Sequence, residues 1–244
     1  MKSPLRETAA ALIPLAALSS ARDASRRYDG AMAKPRIASM PNGPYYLIND
    51  PQPVEVPNLV RQSGETCANV RGVALCRCGG SKNKPFCDGT HSSNGFSDRK
   101  LTDGAGNHRS SYAGKRITIF DNRALCSHAG YCSDGLKSVF LYGKEPWIDA
   151  DGAAVEEVMA TIRKCPSGAL SYAIDGVEAK SPGRAPQVVV TDNGPYAVTG
   201  GIELMGAQFG DGASKEHYTL CRCGASKNKP FCDGSHWSVE FKDP

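Results

Sequence analysis
Ile117 and Ile119 alternate with Thr118 and Phe120, which predicts a strand, and residues 169–174 predict a second one. Between them the period changes. Val155, Val158, Met159 and Ile162 share one face of a helix that Asp151-Gly152 can open and that Pro166 stops, directly after Cys165. Ser138-Val139-Phe140 and Trp147-Ile148 add apolar positions to the same small core. On either side the apolar runs are shorter and β-prone: 46–48, 70–75, 187–191 and 218–220, separated by Gly and Pro. Residues 101–115, rich in Gly, Asn and Ser, and 178–186, rich in Pro and Gly, read as linkers. The expected class is α+β, with an N-terminal extension over 1–33, β-rich units over 34–110 and 181–244, and an α+β insert over 111–180.

The extension fits neither unit. Residues 9–18 are apolar, with Lys2 and Arg6 before them and small residues after, the outline of a weak signal peptide. Glu7 and Pro14 interrupt that outline, so the segment is read as an amphipathic helix over about 5–28, broken near Pro14. No run of eighteen apolar residues occurs, and no transmembrane helix is expected.

The candidate chemistry lies in a sixteen-residue block written twice, 76–91 and 221–236, with fourteen positions identical. Only Gly80 and Thr90 change, to Ala225 and Ser235. Each copy offers three thiolates and one imidazole: Cys76, Cys78, Cys87 and His91, then Cys221, Cys223, Cys232 and His236. Two cysteines one residue apart, a turn, then a Cys and a His four apart can wrap a compact inorganic centre. Spacing alone leaves zinc and iron–sulfur both open.

The pattern C-x-C-x₂-S-x₃-P-x-C-D-G-[ST]-H resembles that of the CDGSH iron–sulfur domain, the NEET family, at every position of both blocks. The resemblance implies a [2Fe–2S] cluster in each, one iron on the first two cysteines and the other on the third cysteine and the histidine. It also implies small β-rich halves packed about an internal pseudo-two-fold axis, like a NEET dimer made from one chain. An Asn-Gly-Pro-Tyr stretch repeats ahead of each block (42–45 and 193–196), and the strand near Tyr45 is expected to pair with the other half. Ser81 and Ser226 are read as hydroxyl donors near the cluster, and Asp88 and Asp233 as helix N-caps or, alternatively, acceptors that orient the histidine. Arg77, Lys82 and Lys84, with Arg222, Lys227 and Lys229, read as local charge compensation, or else as a ring for docking an acidic partner.

A second grammar lies between the blocks. Cys126-Ser127-His128-Ala129-Gly130-Tyr131-Cys132, with a remote Cys165-Pro166, keeps the frame of a bacterial ferredoxin but has Ala129 where the middle cysteine belongs. The stretch resembles single-cluster ferredoxins and the divergent 4Fe–4S mono-cluster domains. Three cysteines suit a [3Fe–4S] cluster; a [4Fe–4S] alternative needs a fourth ligand, for which His128 is the nearest candidate.

Charge and cysteine count complete the picture. Nine of ten cysteines belong to ligand sets, and Cys67 reads as a small buried apolar residue. This clustering is unlike a secreted disulfide framework, so a reducing cytoplasm is the default. The formal net charge is +4; two oxidised [2Fe–2S] and one oxidised [3Fe–4S] with their thiolates contribute about −4, which brings the loaded chain near neutrality. No long basic run supports nucleic-acid binding, and no nucleophile elbow, P-loop or dinucleotide fingerprint is present. One-electron transfer between redox partner proteins is the expected role, from a monomeric pseudo-dimer that is not an enzyme. A carrier or sensor that gives its [2Fe–2S] clusters to apo iron–sulfur acceptors is the alternative, and zinc-bound interaction modules are a third reading.

Overall fold
The computed structural model describes residues 35–48, 58–67, 73–102 and 107–243. The expected N-terminal helix lies outside the described residues. In chain order the first half contributes β1 (Arg36–Ser39), β2 (Tyr45–Ile48), β3 (Asn58–Arg61) and β4 (Val73–Leu75). The insert contributes β5 (Ser110–Ala113), β6 (Ile117–Asp121), α1 (Tyr131–Gly135), α2 (Val155–Ile162), β7 (Leu170–Ile174) and β8 (Val177–Glu178). The second half contributes β9 (Gln187–Val190), β10 (Tyr196–Thr199), β11 (Glu203–Met205), β12 (Tyr218–Leu220) and α3 (Ser235–Ser238).

The Asn-Gly-Pro stretches are hairpin turns. Asn42 and Asn193 take φ of 47° and 50°, a left-handed conformation that Asn tolerates better than most residues. Gly43 N–H closes on Met40 O at 3.0 Å and Gly194 N–H on Thr191 O at 3.3 Å. Each turn joins an antiparallel pair, β1 with β2 and β9 with β10. Period-two burial follows: Tyr45 and Leu47 point inward while Tyr46 is exposed.

The two halves exchange strands. Sheet order is β11-β1-β2-β4 in one and β12-β10-β9-β3 in the other. In each, the third strand of one half runs parallel to the first strand of the other, β3 on β9 and β11 on β1. Swapping every strand for its counterpart turns one order into the other, as an approximate two-fold relation requires. The exchanged strands are β3 and β11, whereas the strand of Tyr45 pairs within its own half, with β1 and β4. That corrects the sequence expectation: the hairpin turn occupies one flank of β2 and the approach to the ligand loop takes the other. Residues of both halves, among them Ile37, Tyr45, Leu59, Leu75, Val188, Tyr196 and Leu220, form one shared core that also buries Cys67.

The insert has its own core of Ile117, Ile119, Val139, Phe140, Ile148, Val158, Ile162 and Leu170, behind the sheet β5-β6-β7-β8. Two expectations change. Residues 110–113 are an edge strand paired with β6 rather than linker. The helix begins at Val155, where Ala154 N–H donates to Glu157 Oε2 at 3.2 Å; Asp151 instead accepts Lys115 N–H at 2.9 Å. It ends at Ile162, and Cys165 follows in a turn closed on Ile162 O at 2.9 Å. Trp147 packs against Tyr112 and Phe140 beneath the Arg123 guanidinium. Among the described residues no helix is long and apolar enough to cross a membrane.

Candidate metal centres
Each repeated block is a loop whose ends are pinned side by side. Cys76 N–H donates to Pro85 O at 2.8 Å and Cys87 N–H to Ala74 O at 2.9 Å. The second copy repeats this, with Cys221 N–H to Pro230 O at 2.9 Å and Cys232 N–H to Thr219 O at 3.0 Å. The pinning brings the donors together in pairs. Cys76 and Cys78 sulfurs are 3.9 Å apart and Cys221 and Cys223 sulfurs 3.8 Å, the separation of two thiolates each about 2.3 Å from one tetrahedral metal. His91 Nδ1 lies 3.3 Å from Cys87 Sγ, and His236 Nδ1 lies 3.4 Å from Cys232 Sγ. Among the described residues no three Cys, His, Asp or Glu donors gather around one point as a single ion would require. Two donor pairs per loop, three thiols and an imidazole in all, are a ligand set suited to a compact inorganic centre.

Backbone N–H groups face the thiolates. Gly80 and Ala225 N–H each donate to the second cysteine at 3.4 Å, and Gly89 and Gly234 N–H to the third at 3.5 Å. Such donors stabilise thiolate charge and tune a bound cluster. The serine hydroxyls do something else. Ser81 Oγ donates to Phe86 O at 2.6 Å and Ser226 Oγ to Phe231 O at 2.7 Å, so each braces the loop and its single proton is committed away from sulfur. Asp88 accepts Thr90 N–H at 3.0 Å and Lys82 N–H at 2.8 Å, and Asp233 repeats this with Ser235 and Lys227. These carboxylates tie the loop to the helical turn; the helix N-cap positions are Gly89 and Gly234. Hydrogen bonding from Thr90 and Lys82 holds the Asp88 carboxyl well below its ordinary range.

Arg77 and Arg222 are not a docking ring. Arg222 is 1% exposed; its Nε donates to Gly194 O at 2.9 Å and its other nitrogens reach Thr191 O at 2.8 Å and Asp243 at 2.6 Å. Arg77 likewise reaches Met40 O at 3.2 Å and Asp98 at 3.5 Å. Both clamp a hairpin turn to a segment that follows the ligand loop. Lys84 and Lys229 donate to the Ser81 and Ser226 carbonyls, each at 2.7 Å. Of the six cations, Lys82 and Lys227 remain exposed. Sequence reasoning missed Asp98 and Asp243, although Phe96-x-Asp98 and Phe241-x-Asp243 sit at the same offset as the ligand blocks.

In the insert, Cys126, Cys132 and Cys165 line one cavity of about 710 Å³, together with His128, Ala129, Asp121 and Arg123. Cys132 rides on the short α1, Cys165 follows α2, and Cys126 ends a 3₁₀ turn whose Asn122 side chain accepts Ala124 N–H. Cys126 Sγ accepts His128 N–H at 3.4 Å and Arg123 Nη1–H at 3.7 Å. Arg123, three residues ahead of the first cysteine, is a positive neighbour that spacing analysis passed over. The three thiols on its wall are a ligand set of the kind that iron–sulfur clusters use.

Residues 42–92 and 193–237 match the family described as iron-binding zinc finger, CDGSH type, and residues 112–175 match the one described as divergent 4Fe-4S mono-cluster. The chain belongs to the CDGSH iron–sulfur family. It is an α+β iron–sulfur protein with two CDGSH regions and a mono-cluster domain between them. The uncharacterized protein YjdI of Escherichia coli K12 is 41% identical to this CDGSH protein over 61 residues, 25% of this chain and 80% of YjdI. YjdI of Escherichia coli O157:H7 gives the same values. No solved structure matches the chain.

The two CDGSH loops of this protein differ in surroundings although they share their ligands. His236 and Cys232 are 6% and 2% exposed, whereas His91 and Cys87 are half-exposed. Burial pushes the Cys76 thiol up to about 11 and Cys232 higher still. In the second loop, the hydrogen bond between Cys221 and Cys223 raises the first thiol, together with burial, and lowers the second. Desolvation and the nearby His128 lower His236 and keep its imidazole neutral, the form that ligates a metal. Burial also raises Cys126 and Cys132. Metal uptake at these sites must therefore displace thiol protons.

Proposed function
We propose that this CDGSH protein holds two [2Fe–2S] clusters and one ferredoxin-type cluster and serves one-electron transfer between redox partner proteins. The units carrying them are 34–110, 111–180 and 181–244. The observation that carries the reading is the arrangement of donors: two pairs in each CDGSH loop and three thiols on one cavity. Bound there, iron–sulfur clusters supply one-electron redox chemistry. The chain's part is to hold them with thiolates and imidazole, to direct backbone N–H groups at the sulfurs, and to exclude water from the second loop. Three thiols in the insert favour a [3Fe–4S] centre. A [4Fe–4S] centre is the second reading, favoured by the description of the matched family and by His128 on the cavity wall.

Iron, sulfide and zinc analysis of anaerobically purified protein tests this, read beside EPR before and after reduction. About seven irons and an oxidised three-iron signal support the first reading; about eight irons without that signal support the second; zinc without sulfide overturns both. Cys165→Ser should remove only the insert's cluster. His91→Cys and His236→Cys should each lower one potential, because a thiolate adds negative charge where imidazole was neutral.

A further inference from the structure
Two sites with the same four ligands, in blocks identical at fourteen of sixteen positions, differ sharply in what packs around them. At the first, nothing lies within 4 Å of a Cβ added at Gly89, and Asn83, Asp88 and Gly89 are exposed. At the second, the same positions face the insert. Asn228 is 3% exposed, and its Nδ2 donates to Ala124 O at 2.6 Å. Gly234 is packed on the His128 ring, with His128 Cγ 2.9 Å from where a Cβ would stand. Trp237, whose counterpart is Ser92, lies over His236 with ring centroids 5.3 Å apart and donates from Nε1 to His128 O at 3.2 Å. Among the described residues no hydrogen bond joins the insert to the first block. The insert therefore covers one metal loop of a near-symmetric pair and leaves the other open.

We propose that the insert seals the second CDGSH site, so that only the first gives up its cluster readily, to an apo acceptor with four cysteines of the ferredoxin type. The proposal rests on the reading that both loops hold [2Fe–2S] clusters. Transfer is ligand exchange without redox change. Three iron–sulfur bonds and one iron–nitrogen bond to the donor break, and four iron–sulfur bonds to the acceptor form. The acceptor's four thiols lose their protons; three go to the donor's cysteines and one to solvent. An incoming thiolate must approach the iron on the Cys-His side of the loop. At the first site His91 and Cys87 are reachable there. At the second, His236 is enclosed by Trp237 and His128, and exchange must wait for the insert to lift.

The test follows visible absorbance of the holoprotein mixed with excess apo-ferredoxin, and separately with an iron chelator. The expected [2Fe–2S] decay is biphasic with equal amplitudes, the phases separated by about tenfold or more in rate. Cys232→Ser, which retains the first site, should show the fast phase alone, and Cys87→Ser the slow phase alone. Asn228→Ala with Trp237→Ser, which removes both side-chain hydrogen bonds to the insert's backbone, should accelerate the slow phase toward the fast one. A single rate for both sites in the unaltered protein overturns the sealing proposal, as does a slow phase indifferent to the double substitution. The unaltered protein decides the matter even where a cysteine variant fails to fold. Failure of the underlying reading looks different: iron and sulfide would be short of two each per CDGSH loop before any acceptor is added.

Discussion

Tyr45 and Tyr196 meet edge to face, ring centroids 6.1 Å apart, and each hydroxyl ends on the ligand loop of the other half. Tyr45 reaches Cys221 O at 3.1 Å and Pro230 O at 2.9 Å; Tyr196 reaches Cys76 O at 2.9 Å and Pro85 O at 3.0 Å. Both rings are fully buried, and burial raises both phenols far above their ordinary value, so they act only as neutral donors. Pro85 O and Pro230 O keep the Cys76 and Cys221 N–H groups, but Tyr→Phe takes the tyrosine donor from Cys76 O or Cys221 O, at a cost of about 1–3 kcal/mol. The effect should cross over: Tyr45→Phe should speed loss of the second cluster and Tyr196→Phe loss of the first. Site-resolved decay in chains that keep one CDGSH cluster checks it, and loss confined to the same half as the substitution would contradict the cross-connection.

The loops touch at their tips, where Cys78 and Cys223 form a backbone bridge. Gly79 and Gly224 have φ of 75° and 79°, and a Cβ on Gly224 would stand 2.6 Å from Cys78 O while one on Gly79 would strike Cys223 O. Gly79→Ala should lower stability by more than about 2 kcal/mol, because backbone must shift on both sides. Gly80→Ala meets mainly the Asn94 side chain, which can turn aside, and the second block already has Ala225. Urea unfolding should find Gly80→Ala within about 1 kcal/mol of the unaltered protein.

The buried arginines offer a graded comparison. Arg222 and Asp243 are 2.6 Å apart with side chains 0% and 9% exposed, while Arg77 and Asp98 are 3.5 Å apart with Asp98 32% exposed. Removing one partner of a buried pair strands the other charge, at roughly 3–5 kcal/mol. Arg222→Met should approach that loss and Arg77→Met should fall well short of it, since water can solvate Asp98. Equal losses in thermal or urea unfolding would show that the Asp contacts are incidental.

Asp121 sets a pH dependence in the insert. Its side chain is 3% exposed, and Oδ1 has no hydrogen-bond partner among the described residues. Burial pushes its carboxyl up to about 6, partly opposed by Arg123 at 3.3 Å. A carboxyl raised on folding favours the native state fully below its unfolded value near 4, and that contribution is lost as pH rises through about 6. Asp121→Asn should therefore stabilise the insert more at pH 8 than at pH 5, by about 1.4 kcal/mol, because about one unit of the shift still lies above pH 5. Urea titrations at the two pH values measure the difference; a pH-independent effect would mean the carboxyl does not titrate there.

Much of this was legible because ligand spacing and strand alternation are local. The doubled block marked both loops, and the β-prone runs at 187–191 and 218–220 correspond to β9 and β12. What escaped was set by distant partners. The exchange of β3 and β11 depends on edges supplied some 150 residues away, and 110–113 is a strand only because β6 offers it a partner. Ser81 and Ser226 were read as donors to sulfur because the loop brings them close, yet the nearer carbonyls of Phe86 and Phe231 take the proton. The unequal burial of two nearly identical blocks was invisible in the repeat itself, since its cause is the insert.

Strand exchange also dictates an order of assembly during synthesis. β1 leaves the ribosome first, but its parallel partner β11 is not made until residues 203–205. β3 waits in the same way for 187–190. Among the described residues the insert's strands, from Ser110 to Glu178, pair only with one another, so its sheet can close while the first half still has an open edge. Neither CDGSH loop gains the cross-half tyrosine that braces it until both halves have emerged, and the mono-cluster cavity is the earliest of the three that the growing chain can complete.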